Sequence, residues 1–167
     1  MGRNGKVDIR QLQNFQKELE ESLSGKQLDL FIESCSKELA ARLLAKVIKR
    51  TPVGNYPKET GKKGGTLRRG WTGGIDMKPE EYANFLKVQH VGDKYVIEII
   101  NPVEYASYVE YGHVQTLGRY VPALGKKLVK GWVEGKFMLK DSEIELHRDA
   151  PKILEKKLKK KLEELFK

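Results

Sequence analysis

Three histidines and one cysteine are the side chains of this 167-residue chain best suited to chemistry, and their spacing assembles no site. His90, His113 and His147 stand 23 and 34 residues apart, with no His-x-x-x-His pair to present two imidazoles on one helix face. Cys35 has no second cysteine, which excludes an internal disulfide and a multi-cysteine zinc site. On the apolar stripe of a long helix it reads as an inert core thiol, since apolar surroundings disfavour the thiolate. Gly-x-Ser-x-Gly, the P-loop and Gly-x-Gly-x-x-Gly are all absent. Lys62-Lys63-Gly64-Gly65-Thr66 has the ingredients of a phosphate loop without its spacing. Glu104 and Glu110 are candidates for a carboxylate pair, but six residues apart on a helix they point in different directions. A capping role accounts for Glu104. The expectation is a protein that is not an enzyme and carries no metal or cofactor.

The elements that would position these residues read as follows. Ile9, Leu12, Phe15, Leu19 and Leu23 step by three or four after Asp8, which predicts an N-terminal helix within residues 1–25. A longer helix is predicted from Leu28 to Arg50, inside a 26–52 segment, with Leu28, Phe31, Ile32, Cys35, Leu39, Leu43, Val47 and Ile48 as its apolar stripe. Lys49 and Arg50 complement the dipole at its C-terminus, and Pro52 prevents continuation. Residues 53–66, with four glycines, a proline and three lysines, predict a flexible basic loop. An antiparallel sheet is predicted within 67–100. It begins with a strand at Leu67–Thr72 and continues in a hairpin joining Phe85–Val91 to Tyr95–Ile100 across Gly92-Asp93-Lys94.

Asn101-Pro102, with Glu104 at the third helical position, predicts the capped start of a short Tyr-rich helix over 101–112. Tyr105, Tyr108 and Tyr111 fit two roles: packing on the sheet with hydroxyls at the rim, or a subunit interface, where tyrosine is enriched. His113–Gly125 shows no period. Helices are predicted over 123–167, from Leu128, Val129, Trp132, Val133, Phe137 and Met138 at three- and four-residue steps. Asp141-Ser142 is the expected cap of the last helical region, and Pro151 predicts a kink or a fresh start in it. The fold expected is α+β: long N-terminal helices packed on a small antiparallel sheet of three to four strands, with a helical C-terminal region, all in one domain spanning 1–167.

The formal charge of +9 is unevenly placed. Residues 1–50 carry ten cations against seven carboxylates, 51–75 five against one, 76–150 ten against twelve, and 151–167 seven against three. Positive charge thus gathers in the Gly-rich loop and the terminal helix, which suits an anionic neighbour or nucleic acid as well as a plain solvated face. No apolar run approaches the ~20 residues of a membrane span, so no membrane partner is expected. The opening Met1-Gly2-Arg3-Asn4-Gly5 lacks the apolar core of a secretory signal, and a reducing cytoplasm is the expected place of synthesis.

The segments Leu39–Val53, Thr66–Trp71, Gly131–Leu139 and above all Asn101-Pro102-Val103-Glu104-Tyr105-Ala106, continuing to His113, resemble a family of tailed-bacteriophage tail-component and head–tail joining (tail-completion) proteins. The stretch from Gly54 to Gly65 is longer than the short turn usual there. The resemblance implies a virion structural protein of the neck or tail, made in the host cytoplasm. It implies a subunit that joins copies of itself in a ring and meets adjacent neck or tail proteins. On that reading Tyr105, Tyr108, Tyr111, Trp132 and Phe137 are interface candidates. Lys62, Lys63, Arg68 and Arg69 are candidates to face an acidic neighbour, or DNA passing through the ring without sequence preference. The alternative is a stand-alone basic nucleic-acid-binding domain, which would use Trp71 and Tyr95 as stacking platforms.

Overall fold

Helix α1 (Lys26–Arg50) forms where the stripe predicts it and stops at Thr51, whose backbone turns extended ahead of Pro52. The computed structural model describes residues 21, 25–61, 63–92, 94–122 and 125–165. The expected N-terminal helix therefore lies outside the described residues, save Glu21 and Gly25. After α1 come a single 3₁₀ turn at Lys58–Thr60, then α2 (Thr66–Gly70), α3 (Pro79–Phe85), β1 (Gln89–Val91) and β2 (Lys94–Val96). The chain continues through α4 (Ala106–Tyr111), β3 (Gly112–Val114), β4 (Tyr120–Val121), β5 (Lys126–Lys127), β6 (Trp132–Glu134) and α5 (Met138–Leu165). The α+β class is as expected. The strands, however, form three separate antiparallel ladders, β1–β2, β3–β6 and β4–β5, in place of one sheet.

The core lies along the second half of α1. Ala40, Ala41, Leu44 and Val47 are buried there with Leu67, Trp71, Ala83 and Met138. Fully burying side chains the size of Leu44, Val47 or Met138 contributes about 1.5–3 kcal/mol each. The buried face is rotated from the stripe read in the sequence because α3 and α5 both pack on α1, and the small Ala40 and Ala41 let neighbours approach. Leu39 and Leu43 instead face Tyr95, Ile97, Ile99 and Leu146 across a shallow groove. Cys35 is half-buried, and burial pushes its thiol up despite the nearby Lys157 ammonium, which accords with an unreactive core thiol.

Where a strand was expected over 67–72, Thr66–Gly70 is helical and Trp71 and Thr72 lie in the turn that follows. Leu67 and Trp71, four apart, share one helix face and are both buried, which alternation would also have allowed but would have buried Arg69 with them. Trp71 fixes the choice: its Nε1–H donates to Thr51 Oγ1 at 2.8 Å, and that hydroxyl donates to the Val47 carbonyl at 2.7 Å. Thr51→Val should therefore orphan a buried indole N–H and cost about 1–3 kcal/mol, measured by urea unfolding. A Thr51→Ser protein should retain most of the stability.

The hairpin expected after it is present but short. Gln89↔Val96 and His90↔Tyr95 pair, with the His90 and Tyr95 rings stacked at 4.5 Å. Further along the chain, residues 112–134 carry strands where an irregular stretch and a helix were expected. Their Val129, Trp132, Val133 and Phe137 have helical spacing, but Gly118, Gly125, Gly131 and Gly135 punctuate them, and the backbone takes the extended solution. Helix α5 consequently begins at Met138. Asp141 and Ser142 lie inside it, Ser142 being buried with its hydroxyl on the Met138 carbonyl, and Pro151 sits within a continuous helix.

Helix α5 runs antiparallel along α1, and an ordered row of ion pairs sets the register. Arg50 meets Glu145 at 2.7 Å, Lys46 meets Glu145 at 3.1 Å and Asp149 at 3.2 Å, and Lys157 meets Glu38 at 3.0 Å. Arg50 holds Glu145 below the usual carboxylate range, Lys46 does the same for Asp149, and Arg42 with Lys157 for Glu38. A carboxylate depressed by folding stabilises the fold above its unfolded pKa of about 4, and that contribution is lost as pH falls through the lower folded value. Thermal stability should therefore hold from neutrality to about pH 5 and decline below about pH 4. Glu145→Gln should flatten that acid limb in melts recorded across pH.

Candidate functional site

The tyrosine helix begins later than the sequence suggests. Asn101 does not cap a helix: its Oδ1 accepts from Val103 N–H at 3.2 Å and its Nδ2 donates to the Leu67 carbonyl at 2.8 Å, tying the segment to α2. Helix α4 starts at Ala106 with Tyr105 at the N-cap, and it has no side-chain cap. Glu104 is exposed, and the capping role falls on Glu110. The buried Glu110 carboxylate accepts Leu139 N–H and Lys140 N–H, both at 3.0 Å, at the start of α5. The Val109 and Glu110 carbonyls take Lys136 N–H and Phe137 N–H at 2.8 and 3.0 Å. One face of α4 is thus consumed in fastening α5, and the tyrosines stand on the rest. Tyr105, Tyr108 and Tyr111 are 44%, 58% and 62% exposed.

From the C-terminal end of α4 the chain leaves in a two-stranded ribbon. The β3–β6 register (His113↔Val133, Val114↔Trp132) continues through Gln115 N–H on the Gly131 carbonyl and Gly118 N–H on the Leu128 carbonyl. Leu128 N–H then bonds the Arg119 carbonyl, so Gly118 and Arg119 stand opposite one residue. Gly118, at φ +75°, supplies this β-bulge, beyond which β4 pairs with β5. Val114 and Trp132 face each other across the ribbon at 78% and 49% exposure, and Leu117, Tyr120 and Val129 are also exposed. On the opposite side His113 and Val133 are half-buried. The His113 ring lies 5.6 Å from that of Tyr108, and its buried Nδ1 has no hydrogen-bond partner among the described residues.

Of the expected interface residues, Tyr108, Tyr111 and Trp132 are thereby brought to the base of the ribbon, where Trp132 also lies over Gly112. Phe137 stands at the N-terminus of α5 with φ +45°, unusual for a bulky side chain, and the Lys140 ammonium lies 5.4 Å from its ring. Tyr105 lines a different feature, a cleft of about 250 Å³ with Tyr56, Lys63, Leu67 and Val109. Lys63 and Arg69 are exposed, and Arg69 donates to the Gly64 carbonyl at 3.3 Å. Arg68 serves the end of α1, its guanidinium donating twice to the Thr51 carbonyl at 2.8 and 3.3 Å. Lys62 lies outside the described residues. Trp71 is buried, and Tyr95 stacks on His90 and donates its hydroxyl to Asp29, which pushes the phenol up. The buried Trp71 offers no open face for base stacking.

The exposed apolar residues Val114, Leu117 and Val129 and the fastening residue Glu110 escape sequence reasoning. The signal available for the ribbon is its punctuation: five glycines from 112 to 135 separate Val-containing pieces of three to six residues. Among the described residues no three His, Cys, Asp or Glu side chains converge as a metal site, and no helix is long and apolar enough to cross a membrane. Comparison with curated proteins and with solved structures returns no match. The sequence model of one family, described as "Bacteriophage HK97-gp10, putative tail-component", matches residues 13–112, more than half of the chain. The match spans α1 to α4 and stops where the ribbon begins, and on it the chain belongs to the HK97-gp10-like family of bacteriophage tail components.

Proposed function

We propose that this protein is a non-enzymatic structural subunit at the neck or tail of a phage or phage-derived particle. It completes or joins the head–tail assembly by associating with copies of itself, in a ring, and with adjacent neck or tail proteins. The reading takes all 167 residues as one domain, α5 returning from the far end of the chain to pack along α1. The observation that carries it is the exposure of large apolar side chains around α4 and the ribbon, in a chain of a tail-component family. Tyr108, Tyr111, Trp132 and Phe137 stand exposed on α4, β6 and the start of α5, and exposed aromatic residues of this kind are enriched at association sites.

Lys63 and Arg69, with Lys62, would turn this basic stretch toward an acidic neighbour or toward DNA in the lumen, through backbone-type and salt-sensitive contacts. The protein would be made in the host cytoplasm and reside in the virion. The test is particle assembly, scored by electron microscopy as the fraction of heads bearing tails. Tyr108→Ser/Tyr111→Ser should lower that fraction at least tenfold while the purified variant stays folded. Normal tailing would refute the tyrosine seam. Replacing residues 54–65 by a short Gly-Ser turn should also impair assembly, and normal tailing there would remove the loop from the account.

A further inference from the structure

We infer that the ribbon Gly112–Glu134 of one copy docks on the open strand edge Tyr95–Ile100 of a second copy. The inference rests on the self-association proposed above and gives that association a geometry. After β2 the alternation of a strand continues in the burial pattern: Tyr95, Ile97 and Ile99 turn inward toward α1, while Val96, Glu98 and Ile100 are exposed. Within 97–100 no backbone N–H or carbonyl bonds another described residue. An extended, apolar, unpaired edge of this kind is a template for another strand, and folded proteins normally cover or charge it.

The ribbon has the complementary features. Strands β3 and β6 pair only with each other, so each keeps one open edge, and β4 and β5 pack on no other helix or strand to any substantial extent. A two-stranded ribbon is marginal in water, and this one leaves its Val114–Trp132 pair, Leu117 and Val129 exposed. Pairing with the neighbour's strand satisfies that edge and one open edge of the ribbon, and sets exposed Val96 and Ile100 beside the Val114–Trp132 row. Charge selects the pairing. Residues 112–134 carry Arg119, Lys126, Lys127 and Lys130 against Glu134, a net +3, whereas residues 76–104 carry six carboxylates against three lysines, a net −3. Opposite potentials favour this encounter and disfavour ribbon on ribbon. Because the two surfaces differ and lie on one chain, the contact can be made head-to-tail, which closes the ring proposed above or extends a filament, whereas reciprocal exchange would close a two-fold dimer.

The experiment combines native mass with cross-linking. The wild-type chain is measured by light scattering beside Val114→Lys and Ile100→Lys, two changes at exposed positions, with circular dichroism to verify folding. In a Cys35→Ser background, a Trp132→Cys protein and an Ile100→Cys protein are mixed under mild oxidation. The expected result is a wild-type oligomer, at least tenfold weaker association in each lysine variant, and a mixed disulfide-linked dimer. A wild-type oligomer whose mass neither variant changes, with no mixed dimer, would overturn the ribbon docking and leave self-association standing. A wild-type monomer at every concentration, alone and with neck or tail partner proteins, and no mixed dimer would overturn both.

Discussion

Glu110→Ala should lower the stability of this protein by about 3 kcal/mol, roughly 6–12 °C in Tm for a chain of this size. The carboxylate is buried and accepts two backbone N–H groups at the start of α5, where the helix dipole also favours negative charge. Truncation leaves both donors without a partner and removes the fastening between α4 and a 28-residue helix that spans roughly 42 Å. Hydrogen bonds to charged acceptors contribute about 1.5–3 kcal/mol each, less what water recovers once the side chain is removed. Glu110→Gln keeps one acceptor and should lose about half as much. Urea unfolding of the two variants decides the matter: a loss below 1 kcal/mol in the alanine variant would mean that Glu110 does not hold α5.

The second large effect is expected at Gly135. A Cβ there would lie 2.4 Å from the Glu110 carbonyl oxygen and 2.6 Å from the Tyr111 carbonyl carbon, both backbone atoms that cannot step aside. Gly135→Ala should therefore cost more than 3 kcal/mol, or open the junction of α4 with the ribbon. Gly112 is under the same constraint from the other side: its Cβ would lie 2.4 Å from the Val133 carbonyl oxygen, and its φ is +83°. Gly131 is the control, since its nearest contact would be Leu117 at 3.8 Å, and Gly131→Ala should change stability by less than about 0.5 kcal/mol. Limited proteolysis provides the readout: cleavage within 113–134 should accelerate in the Gly135 and Gly112 variants and not in the Gly131 variant. Equal cleavage in all three would contradict a tight junction.

These two residues also mark the limit of what the sequence discloses. The α+β class, the long helix before Pro52, the hairpin at Gly92 and the inward Ile97 and Ile99 follow from local rules: periodicity, a breaker, a turn residue. Helix α3 was missed inside the expected sheet region, although Pro79 stands at its first turn with Glu80 and Glu81 behind it. The ribbon was not legible, because strands of two or three residues are too short to show a period, and Trp132, Val133 and Phe137 happen to fit a helical one. The start of α5 was hidden for a different reason. Its cap is a carboxylate 29 residues upstream in place of Asp141 or Ser142, a long-range contact that no local pattern announces. Among the candidate site residues, Arg68 shows the same effect. As one of five cations in residues 51–75 it reads as partner-facing, and only its bonds to the Thr51 carbonyl place it at the end of α1.

The measurement that bears most directly on the account is the solution mass of the purified chain by light scattering across concentration, with and without neck or tail partner proteins. A subunit that self-associates through α4 and the ribbon should give a discrete multiple of 19.1 kDa, alone or on a partner's template. A mass of 19.1 kDa at every concentration, unchanged by every partner offered, would contradict it.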